Sequence, residues 1–284
     1  MNERNLRMAE RIAAADVGYP FSFVIVGDSG AWPDPTADAI FSELVRQAAA
    51  VRPVFFVNLG DFAGPGTRER HEHYLELVAP LEIPNVCLIG NHDLEDTSAA
   101  AAWEAVHGPR NFQFACGSTR FVAIDGASGQ VGELGDTTPP DTAGPSMEAL
   151  RYLDQALAAT SEPHRVVLLH APPHLDGHYA PQPECGFQQG EREFMDILRR
   201  QDVKLVCCAH GLGFDHHVHD GIRFVMSGGG GAALYLSYRD AQTRDRGALF
   251  HGVEITLTES GAANGRVFQA FAPLGSPPPF TFGD

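Results

Sequence analysis

The chain has 284 residues, 44% apolar and 20% charged, which is a globular composition and not a disordered one. Lys and Arg number 20 against 36 Asp and Glu, a formal net charge of −16. That balance excludes a general attraction to nucleic-acid backbones, which runs on Lys/Arg counterion release, and implies repulsion from anionic membrane surfaces.

Residues 1–20 read as a polar, partly helical lead-in. Phe21–Val26 is a β-type apolar run ending in Gly27-Asp28, followed by a helical pattern over Thr36–Ala50 with Ile40, Phe41, Leu44 and Val45 on one face. Val54–Val57 is the next buried strand and leads to Gly60-Asp61; Arg68–Leu77 follows as a helix. Val86–Ile89 is a third strand, ending in Gly90-Asn91-His92-Asp93, and Thr97–Val106 is an Ala-rich helix with Thr97 or Ser98 as its N-cap. Asn111–Cys116 and Arg120–Asp125 form a hairpin across Gly117-Ser118. Gly126–Pro145 is a long Gly/Pro-rich loop within one domain, because strands with the same polar kind of terminus lie on both sides of it.

Ser146 opens a helix over Met147–Ala159. Val166–Leu169 is a strand ending in His170; a Pro- and His-rich loop, 171–188, separates it from a helix over Glu191–Arg200. The strand Lys204–Cys208 ends in Ala209-His210, and Ile222–Met226 runs into Ser227–Gly231. That glycine run lacks the Lys-Ser/Thr of a phosphate-binding P-loop and reads as a tight backbone passage. Two further strands, Ala248–Leu257 and Arg266–Ala272, precede a Pro-rich tail at 276–284. Strands alternating with helices, then a mostly β end, predict an α/β fold with mixed sheets, in a single domain over 21–275.

Five cysteines, odd in number and without CxxC spacing, suggest neither a disulfide framework nor a thiolate zinc site. All but Cys185 sit in apolar runs. No apolar run is long enough to span a membrane and no secretory leader opens the chain, so the expected location is cytoplasmic.

The chemistry is concentrated at strand ends. Five apolar strands terminate in Asp28, in Asp61, in Asn91 with His92, in His170 and in His210. Ligand sites in open α/β sheets gather beyond the carboxyl ends of strands. Carboxylate and amide oxygens mixed with imidazole nitrogens suit a divalent transition metal (Mn, Fe, Zn, Ni or Co) better than Ca or Mg.

In this ordered set, Gly27-Asp28, Gly60-Asp61, Gly90-Asn91-His92-Asp93, His170 and Ala209-His210, the chain resembles the calcineurin-like metallophosphoesterases over about residues 20–235. The resemblance implies a four-layer αββα sandwich of two mixed sheets with metals at the strand ends. It implies hydrolysis of a phosphate monoester or diester by metal-activated water. Asp61 would bridge two metals, and Asn91, His170 and His210 would complete one of these sites. Asn91 and His92 would face the substrate phosphate, with His92 as charge stabiliser or leaving-group acid and Asp93 orienting its ring.

The other metal would take Asp28, Asp61 and two histidines, but Gly30 and Leu212 stand where relatives carry those histidines. Purple acid phosphatases share Asp-x-Gly at the first motif, but supply a tyrosine where this chain has Gly64. One site is therefore intact and the second is open to three outcomes. It is absent, or rebuilt from His174, His178, His216, His217 or His219, or lost together with catalysis. The last outcome would leave a catalytically silent relative acting in metal or partner binding.

Overall fold

The computed structural model describes residues 3–30, 32–127, 144–173, 186–187, 189–234 and 248–283. Two six-stranded mixed sheets face each other. The first has the order β12-β11-β10-β1-β2-β3, built from β1 (Phe21–Val26), β2 (Phe55–Asn58), β3 (Asn85–Cys87), β10 (His251–Leu257), β11 (Ala263–Gln269) and β12 (Thr281–Phe282). The second has the order β4-β5-β6-β7-β9-β8, from β4 (Phe112–Cys116), β5 (Thr119–Ala123), β6 (His164–Leu168), β7 (Leu205–Cys208), β8 (Phe214–His219) and β9 (Ile222–Ser227).

The inner faces meet through aromatic side chains. Phe23 and Phe55 stack at 5.0 Å, Phe114 and Phe121 stack at 5.0 Å, and Phe121 meets both Phe23 and Phe55 edge-on. Each such pair contributes about 0.5–1.5 kcal/mol beyond the area it buries. On the outer face of the first sheet, α2 (Pro35–Val51), α3 (Arg68–Val78) and α4 (Ala99–Val106) bury Phe41, Leu44, Tyr74 and Trp103 against Val24, Val26 and Phe56. On the outer face of the second, α5 (Met147–Ala158) and α6 (Glu191–Arg200) bury Leu153, Leu157, Phe194 and Leu198. The result is the four-layer αββα sandwich.

The lead-in does more than precede the domain. Its helix α1 (Arg4–Ala13) puts Ala9 and Ile12 into the core between the sheets. The Asn5 amide donates to Cys87 O at 2.8 Å and accepts from Cys87 N–H at 3.2 Å, which satisfies the open edge of β3. Ser146 caps α5 by accepting from Ala149 N–H. Ser98 precedes α4, but its hydroxyl goes to Asp96 instead of a helix N–H.

Two strands were not expected. β12 lies in the Pro-rich tail and pairs with β11. β8 is a polar edge strand, Phe-Asp-His-His-Val-His, whose composition hides its periodicity. The readable signal was Asp220-Gly221, both at positive φ (52° and 73°), joining His219 to its ladder partner Ile222. A two-residue Asp-Gly turn of this kind marks a hairpin.

Cys87, Cys116, Cys207 and Cys208 are buried and free. Cys185, His174, His178 and most of the 126–145 loop lie outside the described residues. No helix among the described residues is long and apolar enough to cross a membrane.

Candidate metal centre

Strands β1, β2 and β3 run parallel in one sheet, and β5, β6, β7 and β9 run parallel in the other. Their carboxyl ends therefore open at common edges, and the sandwich brings the two edges together. Asp28, Asp61 and His210 each sit at positive φ (57°, 56° and 69°), conformations that cost about 1–3 kcal/mol apiece for a non-glycine residue and persist where the surroundings enforce them. The turns are tied to one another: Asp28 N–H donates to Gly60 O at 3.0 Å and Gly30 N–H to Asp61 O at 2.9 Å. The glycine run after β9 packs beside them, and a Cβ on Gly228 would lie 2.7 Å from Asp28 Oδ2.

His170 is fully buried and is the hub. Its Nδ1 lies 2.9 Å from Leu59 O, a carbonyl that can only accept, so Nδ1 carries the proton. Its Nε2 is then 3.2 Å from Asp61 Oδ2, 3.1 Å from Asn91 Oδ1 and 3.2 Å from His210 Nδ1. Electron-rich atoms do not converge like this without a positive charge among them. Asp61, His170 and His210 place ligand atoms within 4.8 Å of one another. The Leu59 carbonyl behind His170 is the outer-shell partner that holds a ligating imidazole in one tautomer. The donor set fits a divalent transition metal.

Without a metal the proton must supply that charge. Burial disfavours the charged imidazole, but Asp61, with Asp28 behind it, pushes His170 up to about 9. Burial likewise opposes ionisation of Asp61, yet His170 holds it well below the usual carboxylate range. The sign of the consequence follows from linkage. The raised His170 stabilises fully below about pH 6.5, its unfolded value, and its contribution is lost as pH rises through about 9. Asp61 contributes above about pH 4 and loses that contribution in acid. Chelator-treated protein should therefore melt progressively lower from pH 6.5 to 9, while metal-loaded protein should not, because a metal replaces the proton. Thermal midpoints of both forms across this range check it, and parallel curves would contradict it.

Asp28 sits beside this cluster. Its Oδ2 accepts from His210 N–H at 2.7 Å, while Oδ1 is buried with no hydrogen-bond partner. Burial raises its carboxyl well above the ordinary range, Asp61 adds to this, and His170 opposes it. An orphaned buried carboxylate oxygen beside a metal-type donor set fits a cation-binding residue, since burying it unpaired is costly.

His92 and Asp93 part company. The carboxylate on the His92 ring belongs to Glu95, with Oε1 2.5 Å from Nδ1. Residues 92–94 form a 3-10 turn, whose three-residue period stacks residue 95 over residue 92 and turns residue 93 away. Asp93 is fully buried and accepts four backbone N–H groups: Asp61 and Gly90 on Oδ2, both at 2.9 Å, and Phe62 and Ala63 on Oδ1, at 3.1 and 2.8 Å. The expectation that Asp93 orients the imidazole is corrected; it pins the loop that carries Asp61. Gly90 is required where it stands, since a Cβ there would come within 2.0 Å of Asp61 Oδ1. His92 N–H donates to Asp61 Oδ1 at 3.0 Å. Burial opposes charge on the His92 ring, but Asp61 and Glu95 together raise its pKa. Trp32, 56% exposed, stands edge-on to that ring at 5.4 Å.

The spare histidines are engaged elsewhere on β8. His216 stacks on Phe282 at 4.4 Å with Arg223 against its Nε2, His217 meets Asp215 and stacks on Phe224, and His219 lies at the far end of the strand.

A sandwich of two mixed sheets with a metal-type donor cluster at the strand ends defines a metallophosphoesterase-like protein. The model of the calcineurin-like phosphoesterase family matches residues 21–213, and the chain belongs to that family. Among solved structures it is similar to the purple acid phosphatase PPD1 of yellow lupin (Lupinus luteus), at 13% identity and a TM-score of 0.66, covering 89% of this chain and 52% of that one. The chain thus spans about half the length of the lupin protein. It is also similar to a dimetal phosphatase of Danio rerio (14% identity, TM-score 0.64, covering 88% and 95%). GAP50, the anchor in the inner membrane complex of Plasmodium, is a further fold relative (12% identity, TM-score 0.66, covering 93% and 88%). No curated protein sequence matches.

Proposed function

We propose that the chain is a metal-dependent phosphoesterase that hydrolyses a phosphate monoester or diester. The observation that carries this reading is the convergence of Asp61, Asn91 and His210 on the Nε2 of a buried His170 whose other nitrogen is tied down. Those four residues would hold the metal, with Asp28 beside them. When bound, the metal supplies positive charge for the transferring phosphoryl group and lowers the pKa of a water.

The chain's own residues do the rest. Asn91 and His92 face the phosphate. The Nδ1–H of His92 is committed to Glu95, which leaves Nε2 as the ring atom able to hand a proton to the leaving oxygen. The raised pKa of His92 keeps that proton available closer to neutral pH. Glu95 takes the orienting role, and Asp93 fixes the position of Asp61. The buried free cysteines fit the reducing conditions of the cytoplasm, and the net charge of −16 argues against a nucleic-acid-backbone substrate.

The test is direct. Protein loaded with Mn or Fe should hydrolyse p-nitrophenyl phosphate or its bis ester. His92→Ala should lower turnover about 10²–10⁴-fold, the usual span for a general acid, with metal content unchanged. Bound metal with no turnover of either ester would instead mark a catalytically silent relative.

A further inference from the structure

Arg70 presents its guanidinium to the turns that carry Asp28 and Asp61, beside Gly30 and Gly64. Its Nε–H donates to Gly64 O at 3.1 Å, and Gly64 N–H donates in turn to Gly30 O at 3.1 Å. A Cβ built on Gly30 would lie 3.5 Å from Arg70 Nη2 and 2.7 Å from Phe62 O. Gly30 stands where the family resemblance puts one of the two histidines of the other metal site, the second being at Leu212, and Gly64 stands where purple acid phosphatases supply a tyrosine. Here neither residue carries a ligand, the Phe62 carbonyl leaves no room for a side chain at Gly30, and a guanidinium lies beside it.

Three further facts bear on this arginine. Arg110, Arg120, Arg199, Arg200 and Arg266 each pair with a carboxylate, but among the described residues none pairs with Arg70. It is half-buried, and its Nε–H is anchored on Gly64 O. It also stands in the first turn of α3, where the helix dipole disfavours a cation by about 0.3–1 kcal/mol and favours an anion. A local rule broken in this way marks a position kept for something other than helix stability.

Charge gives the reason. One divalent metal among Asp61 and Asp28 leaves a centre near neutrality if both carboxylates are ionised, yet a phosphate ester is anionic. We infer that Arg70 is the anion-binding group that replaces a second metal, its free N–H groups taking a non-bridging phosphoryl oxygen while the one metal sits at Asp61, Asn91, His170 and His210. A guanidinium fork suits this better than an ammonium, because it offers two parallel donors to one phosphate. This inference rests on the phosphoesterase reading.

The experiment compares metal-loaded wild type, Arg70→Met and Arg70→Lys. It reads metal per chain by elemental analysis, affinity for inorganic phosphate by calorimetry, and turnover of p-nitrophenyl phosphate. All three should carry one metal per chain. Arg70→Met should bind phosphate at least tenfold more weakly, and Arg70→Lys several-fold more weakly, since it keeps the charge and loses the fork. Turnover should fall in the same order. Unchanged phosphate affinity in Arg70→Met, or two metals retained per wild-type chain, would overturn the inference. If Arg70→Met fails to show the wild-type melting transition, Arg70→Lys decides, and wild-type affinity in it counts against the proposal. A wild type that binds phosphate in an Arg70-dependent way but hydrolyses neither ester would sink the phosphoesterase reading and keep only the anion-binding role of Arg70.

Discussion

Asp61→Asn should strip the metal from the protein and reduce ester hydrolysis by on the order of 10³-fold or more. The substitution keeps size and shape, and the replacing oxygen can still accept His92 N–H. What disappears is the one charge on the side chain that faces both His92 N–H and His170. Loss of an outer-shell partner already weakens metal binding by roughly 10–100-fold, so loss of a charged ligand should exceed that. The turnover loss follows, because electrostatic stabilisation is usually the largest catalytic term and even one neutral donor is worth about 10²–10³-fold. His170 should change as well. Without Asp61 it loses the main cause of its rise to about 9, so the decline in melting temperature of chelated protein between pH 6.5 and 9 should flatten. Elemental analysis, turnover and the pH series of melting curves check three faces of one arrangement. A variant that keeps its metal and near-native turnover would place the cation elsewhere.

Asp93→Ala should give the largest loss of stability among the site variants, and His92→Ala should not share it. Removing the Asp93 carboxylate orphans four backbone N–H groups in a place water does not reach. Hydrogen bonds to a charged partner are worth about 1.5–3 kcal/mol each, and a buried unsatisfied donor costs about 1–3 kcal/mol. Relaxation of the loop will recover part of that, so a net loss on the order of 3 kcal/mol is expected, or a midpoint lower by about 6–12 °C. Burial and Asp61 push the Asp93 carboxyl up to about 6, so it remains ionised at neutral pH, and by linkage this group adds stability as pH falls from about 6 towards its unfolded value of about 4. Equal melting temperatures for the two variants would return Asp93 to a role on the His92 ring.

Much of this protein is legible in its residue order. β1 is bounded in the structure as the apolar run Phe21–Val26 bounds it, and α6 as the pattern Glu191–Arg200 does. Strands buried on both faces, each a short continuous apolar run ending in a polar residue, are a local signal. Asp61, Asn91, His170 and His210 were nameable because each follows such a run. The edge strand β8 was not, since a strand exposed on one side carries no apolar stripe long enough to register; its Asp220-Gly221 turn was the only plain mark.

The partners of the site residues were not legible. Adjacent numbering suggested Asp93 for the His92 ring, but a 3-10 turn sets i against i+3, so Glu95 takes the ring and Asp93 faces the opposite way. Arg70 gave no signal in its own segment, because its meaning comes from Gly30, 40 positions earlier, and from Gly64 on the neighbouring turn. Order along the chain determines which groups stand at strand ends, since hydrophobic burial and turn chemistry act over a few residues. Which of those groups share a hydrogen bond or a charge is decided only when two sheets close face to face, because those interactions act through space over a few ångströms between residues that the chain keeps far apart.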